Sequence, residues 1–292
     1  MTLPAGIIFA IISMIGYGLS NAIAKVPNQE IGNKKTIFYR GLFISTILLI
    51  ILLSFLKEAN FSLNFILITF GIAFVGYLPL LTFYKSLEVG KVGIVSPIAN
   101  SSIFFTVILS IIFFGERLFL MQGISIIIIL LGIILMSINF KEFKSSHLFQ
   151  MSSGVPYALI TCILWGLVFF LFKIPVNVLG PILTSFLIEF EILIYSGVHN
   201  LFTNKFKKGT FAIKNKKMIL YTFLVALFGG AGTLFFNMGI QNYNVSIIAA
   251  IAFANPLIAT LYGKIVYKEK LKLQQYFALA IIIAGIVSIS YY

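Results

Sequence analysis

Long uninterrupted runs of apolar residues alternate with short polar stretches along almost the whole chain. Each run holds roughly 18 to 25 residues, which is the length that an α-helix needs to cross a hydrocarbon core of about 30 Å. Because the runs are continuous rather than alternating, they exclude the strands of a membrane β-barrel. The pattern predicts an all-α integral membrane protein with ten transmembrane helices, numbered here as spans one to ten: 3–24, 36–56, 62–84, 92–114, 120–139, 152–172, 180–200, 218–240, 245–266 and 273–290.

Composition agrees with this pattern and changes how the charge is interpreted. The 292 residues are 60% hydrophobic and 10% charged, whereas soluble domains are roughly half apolar. The formal net charge of +13 is typical of nucleic-acid binding in a soluble protein. Here the lysines cluster in the loops, where anionic lipid headgroups attract them. We therefore expect the lipid bilayer as a partner, and no nucleic acid.

The basic residues are distributed unequally between the two sets of loops. Basic residues at span ends are counted with the adjacent loop, and Arg40 is counted with the first loop. On this count, 18 of the 21 Lys and Arg residues fall in the odd-numbered loops. Cytoplasmic loops carry an excess of Lys and Arg. The sequence thus predicts a prokaryotic plasma membrane protein with cytoplasmic odd-numbered loops and both termini outside.

The chain contains an internal repeat, found by sliding it along itself. At an offset of 148 residues span one overlays span six, with Gly18 opposite Gly166 and Lys25 opposite Lys173. Internal repeats of this kind are common in membrane transporters. The overlay predicts two related halves.

The repeat also includes the turns that follow spans four and nine. At an offset of 153 residues Glu116 stands opposite Glu269, and we expect both glutamates to bond backbone groups or to pair with bases at helix ends. The halves are predicted at residues 1–140 and 152–292, joined by a linker at 141–151. Since each half crosses the membrane five times, the two copies are expected in opposite orientations.

Two short motifs recur at equivalent positions in both halves. They are an aromatic–Gly pair (Tyr17-Gly18, Trp165-Gly166) and a Glu–basic–Leu turn (Glu116-Arg117-Leu118, Glu269-Lys270-Leu271). With them the chain resembles the drug/metabolite transporter superfamily, specifically its EamA-type carriers. The resemblance implies ten helices around a central cavity lined by spans one, three, four, six, eight and nine. It also implies a proline before the second Glu, which Pro256 matches, whereas the first half has Ile103 at that position and Pro97 earlier.

Polar and aromatic side chains in the spans assigned to the cavity are candidates for binding a solute, because polar groups are costly inside hydrocarbon. Hydrogen bonding between helices is the alternative role for the polar ones, and packing or an interfacial belt for the aromatic ones. The candidates are Tyr17, Asn21, Tyr77, Tyr84, Ser96, Asn100, Ser101, Trp165, Phe236, Asn237, Phe253 and Asn255.

Two acids lie near the middle of span seven. Glu189 and Glu191 are two residues apart on a helix, so they point about 200° from each other and do not form one paired site. Either is a candidate proton acceptor or ligand for a cationic group; the alternative is a buried acid paired to a base. Arg40 aligns with Glu189 at an offset of 149, so we include it among the coupling candidates.

Four further residues are candidates for gating. Lys25 and Lys173 end symmetric spans, where they either snorkel to headgroups or alternately engage an anionic group. Pro97 and Pro256 interrupt helical hydrogen bonding and can provide flexibility at mid-membrane depth.

The predicted function is secondary transport of a small metabolite, amino acid-like or an organic cation, by alternating access. The sequence has no Walker loop, so ATP hydrolysis is not expected, and proton coupling and exchange both stay open. A flippase for lipid-linked small head groups and an intramembrane enzyme are the alternatives, the latter disfavoured by the absence of Asp and of hydrolase motifs. We expect no cofactor, no metal, no catalytic residue, and a monomer or homodimer; the single Cys162 supports no disulfide.

Overall fold

The computed structural model describes residues 4–137, 150–203, 211–213, 215–268 and 270–292. Most of the predicted linker at 141–151 lies outside these residues. Within them the chain forms α-helices and two short 3-10 turns, and no strand. The α-helices are α1 Ala5–Ile31, α2 Asn33–Ser54, α3 Leu63–Val89, α4 Val92–Asn100, α5 Ile103–Phe114, α6 Leu120–Ser137, α7 Val155–Leu171, α8 Lys173–Leu179, α9 Pro181–Thr203, α10 Lys216–Asn242, α11 Val245–Ala252, α12 Pro256–Val266 and α13 Leu273–Tyr291.

These helices match the ten predicted spans in order. Among the described residues, nine helical stretches are long and apolar enough to cross a membrane, and the apolar part of α6, Leu120–Met136, is shorter. Three of the nine consist of two helices in line: α4 with α5, α7 with α8, and α11 with α12. The prediction of an all-helical chain built of apolar spans is confirmed.

Several helices run beyond the ends predicted for their spans. Helix α1 continues past Lys25 to Ile31, and α3 continues past residue 84 to Val89. In the extension of α3, Lys85 forms an ion pair with Glu88 at 3.0 Å. An apolar run marks only the part of a helix that lies in hydrocarbon. Polar turns that continue the same helix into the interface are therefore missed.

Spans four and nine are each broken near their middle. The break in span four follows Asn100, and the break in span nine precedes Pro256, which begins α12. A proline is favourable at this first position because its missing N–H has no partner to lose. Pro97, by contrast, lies inside α4, so the interruption predicted at this residue occurs one turn later.

Each half packs mainly against the other half. Helix α1 packs along α10, α3 along α7, α2 along α9, and α6 along α13. Helix α1 also contacts α11 and α12, and α7 contacts α4 and α5. The first helix of each half therefore lies against the broken span of the other half.

The glycines of the aromatic–Gly motif make these last contacts close. A Cβ atom on Gly18 would lie 2.8 Å from the carbonyl oxygen of Asn255 and 2.5 Å from Cβ of Ile258. A Cβ atom on Gly166 would lie 3.1 Å from the carbonyl oxygen of Ser102 and 2.4 Å from Cβ of Phe105. Small residues allow helices to approach closely in membranes. The repeated motif thus brings the first helix of each half against the helix break of the other half.

We expect Gly18→Ala and Gly166→Ala each to destabilise the protein by about 1 to 3 kcal/mol, the usual cost of overpacking. Gly123→Ala is the matched control, because a Cβ atom on Gly123 of α6 meets nothing within 4 Å. Thermal unfolding in detergent measures the difference as a lower Tm for the first two variants. Equal Tm values for all three would contradict the close packing.

Candidate functional site

A cavity lies inside the bundle between the two halves. It leaves about 70 Å³ in which the centre of a water molecule can lie, which is room for about five waters or one small solute. Its walls come from spans one to four and six to nine. The cavity therefore uses two spans, two and seven, that the family resemblance does not assign to it.

Seven of the predicted solute-binding residues line this cavity, together with two of the predicted coupling residues. The seven comprise three amides and four aromatic side chains, and the other two carry opposite charges. They are Asn21, Asn100 and Asn255, then Tyr17, Tyr84, Trp165 and Phe253, then Arg40 and Glu189.

The remaining predicted binding residues lie elsewhere. The hydroxyl of Tyr77 is 2.8 Å from Nδ1 of His199, and the amide of Asn237 donates to Ser185 Oγ at 2.8 Å. Ser101 Oγ donates to the carbonyl of Pro97. These groups bond other helices or their own turn, as expected for polar residues that hold a bundle together.

Two further predicted residues adjoin the cavity without lining it. Phe236 stacks on the cavity residue Phe253, with ring centroids 5.8 Å apart and planes at 14°. Ser96 accepts a hydrogen bond from the amide of Asn100 through its carbonyl, at 2.8 Å. Both residues support side chains that face the cavity.

The charged centre of the cavity is an ion pair between α2 and α9. Arg40 donates through both terminal nitrogens to Glu189, at 2.9 and 3.0 Å, and the two residues are 6% and 3% exposed. Thr233 also donates to Glu189 Oε1 at 3.1 Å, and the Tyr17 hydroxyl is 3.4 Å from Thr233 Oγ1. Four spans are thereby joined around one buried carboxylate.

This ion pair corrects two expectations. Arg40 is not a loop residue, as the count of basic residues assumed, because it is buried within α2. Span seven is not outside the cavity, because Glu189 lines it. The reason is shared: neither charge is tolerated in lipid without a partner, so α2 and α9 both turn their charged side chains inward, where each neutralises the other.

Glu191 belongs to a different environment. It is 1% exposed and its Oε1 lies 2.8 Å from Oγ1 of Thr69 on α3. Its direction differs from that of Glu189, as the two-residue spacing predicts. Of the two candidate acids, only Glu189 lies at the cavity.

Aromatic rings line one wall of the cavity and continue along α7 toward Lys173. Trp165 lies against Phe83 with centroids 4.7 Å apart, and Phe169 contacts both Phe253 and Phe236, at 4.5 and 5.1 Å. Five further residues that were not predicted line the cavity: Phe83, Phe169, Phe172, Ser20 and Thr233. The spacing of Phe169, one helical turn after Trp165, places both rings on one face and was a usable indication.

Asparagine side chains line the part of the cavity nearer Lys25. The Asn21 amide donates to Asn255 Oδ1 at 3.3 Å, and the Asn255 amide donates to Asn100 Oδ1 at 2.7 Å and to the Ala252 carbonyl at 3.2 Å. We call Asn21, Asn255 and Asn100 the asparagine bridge. It connects span one to the breaks in spans nine and four.

A second, smaller cavity adjoins the asparagine bridge. It leaves about 30 Å³ for the centre of a water molecule and is lined by Lys25 and both candidate prolines, Pro97 and Pro256. Lys25 is partly buried there. Three of the four residues predicted to act in gating thus meet at one place.

Lys173, the equivalent of Lys25, is bound to backbone. Its ammonium group donates to the carbonyls of Ile240, Gln241 and Tyr243 at the end of α10. A cation is favourable there because carbonyls at a helix C-terminus carry partial negative charge. The side chain therefore caps a helix instead of snorkelling to headgroups.

Glu116 caps the helix that follows. Its carboxylate accepts from the backbone N–H groups of Val245 and Ser246, at 2.5 and 3.0 Å, and from the Ser246 hydroxyl at 2.6 Å. The expectation that Glu116 bonds backbone is confirmed, and its equivalent Glu269 lies outside the described residues. Together Glu116 and Lys173 hold the α10–α11 connection.

The chemistry available at the site is recognition of a polar solute. It provides a cation, an anion, amides, hydroxyls and aromatic faces around one cavity. Across the part of the chain that the structure describes, no three His, Cys, Asp or Glu side chains are grouped so that they could hold a metal ion.

Comparison with known proteins follows the same division of the chain. The sequence profile of the EamA-like transporter family matches residues 4–138 and again 152–291. An uncharacterized protein of Methanocaldococcus jannaschii is 29% identical over 144 residues, which cover 47% of this chain and 99% of that protein. A crystal structure with 12% sequence identity has the same fold, with a TM-score of 0.75 over 98% of this chain and 96% of that chain. The chain therefore belongs to the EamA-like transporter family, within the drug/metabolite transporter superfamily, and is an integral membrane protein of a family of small-molecule transporters.

Proposed function

We propose that the protein is a secondary transporter that moves a small polar metabolite by alternating access. The observation that carries the proposal is the cavity between the halves, which is lined by the buried Arg40–Glu189 pair. Buried ionisable groups in membrane spans are costly and typically mark solute or ion pathways. A cavity near the middle of the membrane between two related halves is where secondary transporters bind their solutes.

The lining of the cavity favours an amino acid-like solute or another small organic cation. Arg40 and Glu189 provide opposite charges about 3 Å apart, which suits a solute that itself carries an ammonium group, with or without a carboxylate. Trp165 and Phe253 supply aromatic faces, which attract cations. The amides of Asn21 and Asn255 supply both donors and acceptors.

Alternating access requires that the two halves be inverted copies, and the helix contacts support this. The pairing of spans one and eight has its equivalent in spans three and six. Contacts between spans five and ten are reciprocal: a Cβ atom on Gly132 would meet Ile282 at 2.6 Å, and one on Gly285 would meet Ile129 at 2.6 Å. Both pairs are related by the offset of 153 residues. Reciprocal contacts of this kind arise around a two-fold axis.

Two more observations support the inverted repeat. Arg40 contacts Glu189, and the two residues correspond at an offset of 149 residues. Equivalent positions of two copies can touch only near the axis that relates the copies. In addition, the M. jannaschii relative is about as long as one half of this chain. We place the boundaries of the halves at 1–140 and 152–292.

We further propose that the Lys25 end of the bundle faces the cytoplasm. Removing Arg40 from the count leaves the excess of lysine on the odd-numbered loops in place, and this excess defines the cytoplasmic side. The Lys173 end then faces outward, in a prokaryotic plasma membrane.

A thermal-shift screen of the purified protein tests the proposed function. The panel contains amino acids, choline-like cations, nucleosides and sugar phosphates. We expect an amino acid or an organic cation to stabilise the protein, by about 2.7 kcal/mol at a concentration of 100 times its Kd. Stabilisation by lipid-linked sugars alone would contradict the proposal and indicate a flippase.

A further inference from the structure

The asparagine bridge lies directly between the two cavities. The central cavity is lined by Asn21, Asn100 and Asn255. The second cavity is lined by Ala22 and Pro256, which directly follow Asn21 and Asn255 in the chain. The bridge is therefore the partition that a solute or water molecule crosses in passing from one cavity to the other.

The bridge is held by few bonds. The amide of Asn21 donates to Asn255 at 3.3 Å, and the amide of Asn255 donates to Asn100 at 2.7 Å. Each of these two hydrogen bonds joins different spans, and two of the three residues lie at helix breaks. Breaking these two bonds removes the amide–amide connections among three spans, and the freed amides can then bind water or the solute.

The opposite end of the central cavity is built differently. The position equivalent to Asn21 at the offset of 148 residues is Phe169, whose ring contacts Phe172, Phe236 and Phe253. Opening at that end requires several aromatic rings to separate. The Lys173 and Glu116 caps next to it also hold the α10–α11 connection. The aromatic end is therefore the more firmly closed of the two.

The second cavity has a polar lining suited to a passing solute. Lys25, Ser96, Thr260, Tyr267 and Gln275 contribute ammonium, hydroxyl and amide groups. Tyr267 is 39% exposed, so the lining reaches the surface of the protein. Among the contacts of the described residues, the Lys25 ammonium has no hydrogen-bond partner, in contrast to that of Lys173.

We propose that the asparagine bridge is a gate, and that the second cavity is a vestibule through which solute passes between the central cavity and the Lys25 side of the membrane. The proposal rests on the proposed transport function for the passage of solute. The accessibility of the two cavities can be tested separately from transport, because small reagents enter the cavities when no solute is present.

Cysteine accessibility tests the gate directly, because the chain has a single cysteine, Cys162, which is buried. In a Cys162→Ala background, Thr260→Cys places a thiol in the vestibule and Ser20→Cys places one in the central cavity. A small, charged methanethiosulfonate reagent is added to membrane vesicles of either orientation, and the labelling rate of each thiol is measured. The same measurement is repeated with Asn255→Ala added.

We expect the Thr260→Cys thiol to react rapidly from one side only, with or without Asn255. The Ser20→Cys thiol should react slowly in the parent and about tenfold faster after Asn255→Ala, which removes both interhelical bonds of the bridge. Asn237→Ala is the matched control: it removes another fully buried amide, bonded to Ser185 outside the bridge, and should leave both rates unchanged. Asn21→Ala removes only the longer hydrogen bond, between Asn21 and Asn255, so it should raise the Ser20→Cys labelling rate by less. This variant replaces Asn255→Ala if Asn255→Ala does not fold.

Three results would overturn the proposal. They are an unreactive Thr260→Cys thiol, a Ser20→Cys rate that does not respond to loss of Asn255 or Asn21, and an equal increase with Asn237→Ala. Since no solute is present, a failure here leaves the proposed transport function standing. A solute screen without a hit would in turn leave the gate standing.

Discussion

Arg40→Met should lower the stability of the protein by about 3 to 5 kcal/mol, the usual cost of removing one partner from a buried ion pair. The reason is that Glu189, which is 3% exposed, would keep its charge in the bundle with only Thr233 donating to it. Thermal unfolding in detergent and the yield of monodisperse protein measure the loss. An Arg40→Met variant as stable as the parent would show that the pair does not hold the bundle.

The double variant Arg40→Met/Glu189→Met separates loss of charge balance from loss of packing. Replacing a buried pair by apolar residues of similar size is often neutral or stabilising, so the double variant should recover most of the stability that Arg40→Met loses. It should nevertheless lose solute binding, because both charges at the cavity are gone. Lys85→Met is the control, since the Lys85–Glu88 pair is about one-third exposed and such pairs contribute little.

Gly76→Leu should abolish transport while leaving the protein folded. Gly76 lines the central cavity, and a Cβ atom there would make ordinary contacts, 3.5 Å from Val168 and 3.9 Å from Ile192. The leucine side chain would fill space that the solute needs, and filling a cavity does not destabilise a protein unless it forces overlap. Uptake into proteoliposomes should be lost, with Tm unchanged or raised.

The sequence predicts the fold well because apolar runs and repeats are local properties of the chain. Ten spans, the Gly18/Gly166 motif and the backbone role of Glu116 all follow from residue patterns that require no knowledge of how helices rotate. In the described residues nine of the spans were found at the predicted places and span five as a shorter apolar helix, with helix ends that extend into the interface. The fold can be predicted in this way because the hydrocarbon core of a membrane allows few secondary structures.

The content of the cavity was harder to predict because helix rotation decides it. Helix α2 is apolar on nearly every face, so its sequence does not indicate which face turns inward. Its contact with α9 through Arg40 and Glu189 depends on tertiary packing across 149 residues. For the same reason Asn237, although buried, was not distinguishable from Asn255 before their partners were known.

The alignment of the chain with itself also indicated one contact between the halves. It placed Arg40 opposite Glu189, but correspondence between repeats does not in general mean contact. The two residues meet because spans two and seven pack together, where an axis between inverted halves would lie. Asn21 and Phe169 correspond as well, and they line different parts of the cavity. Where equivalent positions differ, the two halves contribute different side chains to the cavity.

The most direct test of the central claim, that the cavity around Arg40 and Glu189 binds the transported solute, is the thermal shift produced by that solute in matched variants. Gly71→Leu is the control for Gly76→Leu, because Gly71 lies on the same helix and a Cβ atom there meets nothing within 4 Å. We expect a full shift in the parent and in Gly71→Leu, and no shift in Gly76→Leu. A full shift in Gly76→Leu would contradict it and place the binding site elsewhere.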